Sequence, residues 1–586
     1  MGRSVRNKVK RKLASIAFLG VFLLPASTGA AAETIRESKG NLFSSEGSDS
    51  INLEETTIAS IHEGFASGSL TCTQVVNYYL KRIETLDEVI NSLLYISPNA
   101  LEVAARLDAQ YASTGPVGSL HCIPVIAKDN FDTADMPTTA GWVGLEGAIP
   151  PNDAFTIERL REAGAIIVAK SNLTEFARGG TTVSSLGGQT LNPYDLTRTP
   201  GGSTGGGGAA IALNLGVLAT ASDTGQSTRS PASANSLVGI RSTYGLVSRH
   251  GIVPVSFTQD NAGQIARTVR DAAIMLDVMT GYDPGDPATA FSLGRVPNSY
   301  TDELDVNGLQ GARIGVLEDF FGTEEIHAEV NAVTRAAAEK MTELGAEVVS
   351  ISIPNLSSLT ADLQVGDIEF KTALNDYLAS REPDVPVKSF DDVLQMGGFD
   401  PAIANSMQTS AEFSDLDSNQ DYKERLLRRN DLRLAVMRVM AENNLDAILY
   451  PHQKRLVVPV GESQVERNGV LSNSTGFPAV TFQGGFSSPT ETAPIGVPVG
   501  IELLGPEWSE AKLLKYAYAF EQATQHRLPP VIDAAQAGQR VLPNSTSDET
   551  LASYQGGLLK TFRNLTANLM NHTRSWWSDS STAQES

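Results

Sequence analysis

Three residues have the types and settings needed to activate a hydroxyl: Lys128, Ser203 and Ser227. Ser203 stands beside Thr204 in GGSTGGGGAA (201–210), a stretch in which six of ten residues are glycine. Ser227 stands in ASDTGQSTRSPA (221–232), in a tight Gly-Gln-Ser turn ahead of Pro231, which suits the first turn of a helix. Backbone N–H groups of such a turn can converge on an anion. Lys128 ends the apolar run IPVIAK (123–128), where desolvation would lower its pKa. A serine hydroxyl is a weak nucleophile and needs a base in hydrogen-bond contact. Lysine can be that base in a variant of the serine triad, but only when neutral. An unperturbed lysine, with a pKa of about 10.4, is neutral in only about one molecule in 2,500 at pH 7. Taken singly, each residue also has an ordinary reading: Lys128 as a surface lysine, Ser203 as a structural serine in a glycine loop.

The glycines need a reason, because glycine weakens regular structure. A phosphate-binding loop would follow a strand and carry a lysine after its last glycine. Here NPYDLTRTP precedes the stretch and no lysine follows. A flexible linker fits poorly, since the glycines run into AAIALNLGVLATA, which reads as core helix and strand. The remaining explanation is a backbone that must approach another closely.

The elements that would position these residues alternate along the chain. Helical patterns occur at 73–86, 154–164, 271–281, 328–345 and 422–444. Short apolar runs suited to buried strands lie at 123–128, 165–170, 313–317, 347–353, 447–451, 479–484 and 499–505. Alternation of this kind predicts an α/β fold, a sheet covered by helices on both faces.

The 586 residues carry a net charge of −22, which disfavours nucleic-acid and anionic-membrane partners. Six basic residues in the first twelve precede ASIAFLGVFLLPA (14–26), a run short for a membrane span, and then Ala30-Ala31-Ala32. This is the layout of a secretory signal peptide over 1–32, with an uncleaved anchor as the competing reading. A polar lead-in follows at 33–50, the main domain is expected over 51–536, and 537–586 form a tail. In the tail Leu551, Tyr554, Leu558, Phe562, Leu565 and Leu569 make a helical stripe. No later segment is long and apolar enough to span a membrane. Secretion gives meaning to the sequons at Asn172, Asn355, Asn473, Asn544, Asn564 and Asn571. Asn172 and Asn473 fall in core-like segments and are expected to be unmodified. Cys72 and Cys122 leave two readings open, a disulfide or a buried free thiol. Seven histidines show no metal-ligand spacing, and His452, after the AILYP run, could reach a cleft.

At Gly201-Gly202-Ser203-Thr204-Gly205-Gly206 and Asp223-Thr224-Gly225-Gln226-Ser227-Thr228-Arg229-Ser230-Pro231-Ala232 the chain resembles the amidase signature family. The two serines stand 24 residues apart, as that pattern requires. LHCIPVIAKDN (120–130), AKSNLTEFA (169–177), the block at 245–273 and STGFPAVTFQGG (474–485) extend the likeness over most of 55–530. The 245–273 block looks most like the peptide-amidase branch. The resemblance implies one large domain with a central mixed, mostly parallel twisted sheet. It implies Ser227 as nucleophile, Ser203 as bridge and Lys128 as base, with a cis peptide bond at Gly202-Ser203. An oxyanion hole would come from the backbone of Thr224, Gly225, Gln226 and Ser227, with Thr204, Asp223 and Arg229 in support. It implies no cofactor and no metal. The expected function is a secreted amidase taking a small-molecule or peptide amide, including C-terminally amidated peptides. The alternatives are an amidotransferase-type subunit that generates ammonia, or an inactive binding relative. Two positions depart from the pattern. Gln226 replaces the usual glycine, restricting the backbone or offering its amide to substrate, and Thr204 replaces a frequent serine while keeping a hydroxyl. Contacts to the substrate's acyl chain are expected from 355–470.

Overall fold

The apolar runs do become strands, and most lie in one sheet. In chain order the strands are β1 (Leu93–Ile96), β2 (Pro124–Lys128), β3 (Ile166–Ser171), β4 (Val183–Ser184), β5 (Gly188–Gln189), β6 (Leu218–Ser222), β7 (Val238–Arg241), β8 (Ala262–Ala266), β9 (Arg313–Leu317), β10 (Glu347–Ile351), β11 (Ala447–Pro451), β12 (Ala479–Phe486) and β13 (Pro498–Leu504). β4 and β5 pair only with each other. The other eleven form a sheet in the order β1-β3-β2-β6-β8-β7-β12-β13-β11-β9-β10.

The computed structural model describes residues 51–532 except Glu382, Asp384 and Ser414. The expected leader at 1–32, the lead-in at 33–50 and the tail stripe at 551–569 lie outside the described residues. The sheet belongs to the unit that begins at Leu53.

The sheet is mixed and flanked by helices, as expected. Its parallel pairs fall in two blocks, β3-β2-β6 and β11-β9-β10. The expected parallel majority holds inside these blocks. Between them β6, β8, β7, β12, β13 and β11 join through antiparallel ladders, as does β1 at the edge. Helical crossovers make the parallel pairs, whereas the short connections around β7, β8, β12 and β13 reverse the chain. β2, β3, β6, β11 and β13 are buried along their whole length, which explains their nearly continuous apolar sequences.

The expected helices form with small boundary shifts: Cys72–Ile90, Phe155–Glu162, Val269–Met279, Ala328–Glu343 and Gln420–Glu442. Local chemistry sets their ends. Thr71 accepts from the Gln74 backbone N–H while the Gln74 side chain accepts from Thr71, a capping box that starts the helix at Cys72. Asn91 closes the same helix in the left-handed conformation. Cys72 also forms a disulfide with Cys122, just upstream of β2, which settles the open question of the two thiols.

Two features of the sheet prepare the site. β2, β3 and β6 are parallel, so their carboxyl ends share one edge, where open α/β sheets place ligand crevices. Lys128 closes β2 and Ser222 closes β6. The glycine stretch then forms the buried helix Gly205–Ala212, directly after Ser203-Thr204. Close approach explains its composition: a Cβ on Gly206 would collide with the Asn172 carbonyl oxygen.

Candidate active site

Lys128 is fully buried and its side-chain nitrogen meets two hydroxyls. Nζ lies 2.7 Å from Ser203 Oγ and 2.8 Å from Ser222 Oγ, with the Ser222 carbonyl at 3.5 Å. No described carboxylate touches it. Burial therefore pulls its pKa down to about 7, against the weaker opposing fields of Asp223 and Asp260. Three acceptors can satisfy an ammonium, and a neutral amine can turn its lone pair toward a hydroxyl. The site thus accommodates both protonation states near neutral pH.

Ser203 is placed by its backbone. The Gly202-Ser203 peptide is cis, as the family resemblance implied. Gly202 packs against the 180–181 backbone so closely that a Cβ would stand 2.7 Å from the Gly180 carbonyl carbon. The Ser203 carbonyl accepts from Thr174 N–H at 3.0 Å. The next residue, Thr204, donates its N–H to the Ser227 carbonyl at 3.2 Å, which brings the two serine segments side by side. The Thr204 hydroxyl donates to the Ser222 carbonyl at 3.5 Å, so the retained hydroxyl makes a supporting bond.

The loop carrying Ser227 has its carbonyls fastened and its N–H groups open. The Gly225 carbonyl accepts from Arg229 Nη2 at 2.7 Å and from Asn473 Nδ2 at 2.9 Å. The Gln226 carbonyl accepts from Ser230 N–H at 2.8 Å. By contrast, the N–H groups of Thr224, Gly225, Gln226 and Ser227 donate to no other described residue. Four unpaired donors in consecutive residues beside a serine form an anion-accepting nest. Ser227 itself is 6% exposed, within reach of a ligand that enters the loop.

A buried ionic network holds this loop on the sheet. Asp223 accepts from Thr228 N–H and Arg229 Nε, each at 3.1 Å, and from Arg241 Nη1 at 2.9 Å. Arg229 Nη1 reaches Glu502 at 2.7 Å. Glu502 in turn receives Tyr450 OH at 2.7 Å and Thr481 Oγ1 at 2.9 Å, and contacts His452 Nδ1 at 2.6 Å. Burial alone would raise both carboxylates; the Arg229 guanidinium between them holds both well below their ordinary values. Asp223 and Arg229 therefore brace the loop, as expected. His452 is buried against Glu502 and belongs to this network, not to an open cleft.

A cavity of about 190 Å³ opens beside Ser222 and Thr224, walled by Asn130, Val253–Phe257 and Asp260. The Thr224 hydroxyl donates to Asp260 at 2.6 Å. The walls of this cavity come from 249–262 rather than from the expected 355–470. From the latter region, Gln364 and Arg429 join Asn473 in a chain behind Gly225: Gln364 Nε2 lies 3.4 Å from Asn473 Oδ1, and Arg429 Nη2 donates to the Asn473 carbonyl at 2.7 Å. Asn172 is likewise buried, its amide donating to the Gly188 carbonyl at 3.1 Å and Thr190 Oγ1 at 3.0 Å. Both core sequons thus lie where the sequence placed them.

Sequence reasoning missed Ser222, Asn473 and Arg241. A signal for Ser222 was present. Alternate residues of a strand share a face, and in β6 that face carries Thr220 and Ser222. Thr220 Oγ1 accepts from Lys128 N–H at 3.0 Å, and Ser222 Oγ reaches Lys128 Nζ.

A family model described as Amidase matches residues 74–514. The chain belongs to the amidase signature family. It is, by family, an amide-hydrolysing enzyme. Among solved structures it resembles the peptide amidase of Stenotrophomonas maltophilia, with 33% identity, a TM-score of 0.74, and coverage of 82% of this chain and 99% of that one. An amidase family protein from Bacillus anthracis shares 29% identity with a TM-score of 0.72, covering 83% and 96%. Among characterised sequences, a glutamyl-tRNA(Gln) amidotransferase subunit from Thermoanaerobacter pseudethanolicus is 33% identical over 82% of this chain and 99% of its own length. A probable amidase from Arabidopsis thaliana is 32% identical over 82% and 93%. Among the described residues of this amidase, no helix is long and apolar enough to cross a membrane.

Proposed function

We propose that this amidase is a secreted serine hydrolase of carboxamides that works through Lys128, Ser203 and Ser227. The carrying observation is the 2.7 Å contact between Ser203 Oγ and a buried Lys128 whose pKa lies near 7. A substrate carbonyl enters the loop at 224–227 and Ser227 Oγ attacks its carbon. The hydroxyl proton passes through Ser203 to the lone pair of Lys128. The developing oxyanion meets the open N–H groups of the loop; one such donor is typically worth about 3 kcal/mol in the transition state. The C–N bond then breaks, and the departing nitrogen takes the proton back along the same path. Water repeats the sequence on the acyl-enzyme, releasing a carboxylic acid and restoring Ser227. Thr224, Gly225, Gln226 and Ser227 act here through their backbones.

C-terminally amidated peptides are the proposed substrates, a reading supported by the likeness to peptide amidase. Secretion is supported by the leader-like 1–32 and by a disulfide, which suits an oxidising compartment. A second reading, an ammonia-generating amidotransferase-type subunit, draws on the names of several relatives. One experiment separates them. The protein is incubated alone with amidated peptides, small primary amides and glutamine, and ammonia is measured. Release from amidated peptides supports the proposal; release confined to glutamine supports the second reading; release from none contradicts both.

A further inference from the structure

Gln226 occupies a position where the family pattern has glycine, and the structure shows what surrounds it. Its side chain fits because residue 469 is also glycine: a Cβ there would stand 2.7 Å from Gln226 Cβ and 3.0 Å from the Gly225 carbonyl. The amide turns toward Arg467. In the orientation that pairs acceptor with donors, its oxygen accepts from Arg467 Nη1 at 3.1 Å and from Nε. The same guanidinium lies on the other serine's support. A Cβ on Gly180 would stand 2.5 Å from Arg467 Nη1, and Gly180 is the residue against which Gly202 packs. Arg467 makes no ion pair with any described carboxylate, and burial draws its pKa down to about 10. A partly buried cation without a counter-ion is costly, and its retention is not explained by ion pairing.

We propose that Arg467 is a positioning residue for the oxyanion loop, acting through the Gln226 side chain. The guanidinium joins the loop that carries Ser227 to the segment that backs Ser203. By holding the Gln226 amide it fixes the orientation of the Gln226 and Ser227 N–H groups. Gln226, Arg467 and Gly469 form one compensating set: the glutamine needs the glycine for space and the arginine for a partner. The Gln226 amide is therefore a structural brace and does not meet substrate.

This inference rests on the hydrolase reading, and a double-mutant cycle tests it on the full-length enzyme. The variants are Arg467→Met, Gln226→Gly and the pair, assayed for kcat and KM on an amide that the wild type hydrolyses, with thermal unfolding measured alongside. Arg467→Met is expected to lower kcat by about 10- to 100-fold, no more than the loss of a direct oxyanion donor. KM should stay within about twofold, since uniform binding is untouched. Arg467→Lys should recover part of the loss. In the Gln226→Gly background, Arg467→Met should cost nothing further. An equal loss in both backgrounds would overturn the proposal, as would a rise in KM at unchanged kcat, which would mark a direct substrate contact. A wild type without amide turnover would contradict the hydrolase reading instead.

Discussion

Lys128 Nζ stands 2.7 Å from Ser203 Oγ, and both residues are fully buried. That contact couples an amine held near neutrality to the one hydroxyl whose chain neighbour is hydrogen-bonded to Ser227. Groups that act as a unit lose their function together. Lys128→Ala and Ser227→Ala should each lower kcat/KM by at least about a thousandfold, and the double variant should be hardly worse than either. Steady-state kinetics on one amide checks this; additive losses would mean that the two residues work independently.

Ser222 tests the electrostatics of the lysine. Its hydroxyl accepts from Asn130 Nδ2 at 3.0 Å and is the second hydroxyl on Lys128. Charge-assisted hydrogen bonds are stronger than neutral ones, so removing this partner costs the ammonium more than the amine. Ser222→Ala should therefore move the acid limb of the pH–rate profile to lower pH and lower its plateau by roughly tenfold. A limb that moves upward would contradict this account of how the lysine is held.

The network beneath the loop makes a prediction about stability. Burial would raise the Asp223 carboxyl, but Arg229 and Arg241 hold it far below the ordinary range. A depressed carboxyl contributes stability above its unfolded pKa, near about 4, and that contribution is lost as pH falls through lower values. Asp223→Asn should cost about 3–5 kcal/mol at neutral pH, because it leaves buried guanidinium without its partner. It should also flatten the loss of stability below about pH 4. Chemical denaturation at pH 7 and pH 3 reads both effects.

The Cys72–Cys122 disulfide closes a loop of sequence separation 50, for which chain entropy suggests about 4 kcal/mol. It lies at the start of β2 rather than at Lys128. Cys72→Ser with Cys122→Ser should lower the unfolding temperature while leaving kcat at low temperature within about twofold. Differential scanning calorimetry and an assay well below the unfolding transition separate the two outcomes.

How much of this was legible depended on the range of each contact. The runs ending at Lys128 and the two serine segments were visible because strands are continuous in sequence and glycines mark close approach. β7 and β8 were not, since VGIR and AGQIA are short, carry glycine, and lie among buried neighbours that select small side chains. The partners of the loop were hidden for a different reason. Arg229 meets Glu502 across a separation of 273 residues, and Asn473 meets Gly225 across 248. No local pattern encodes such pairs. Gln226 could be seen as a departure, but its consequence needed Arg467 and Gly469, which only the fold brings beside it.

The central claim is that a buried amine, neutral above about pH 7, activates Ser227. The most direct measurement is the rate of covalent labelling by a fluorophosphonate between pH 5 and pH 9, with the adduct located by peptide mass spectrometry. The account predicts a single adduct on Ser227, forming about tenfold faster per pH unit on the acid side and levelling off near pH 7. Labelling at another serine, or a rate on Ser227 that does not change with pH, would contradict it.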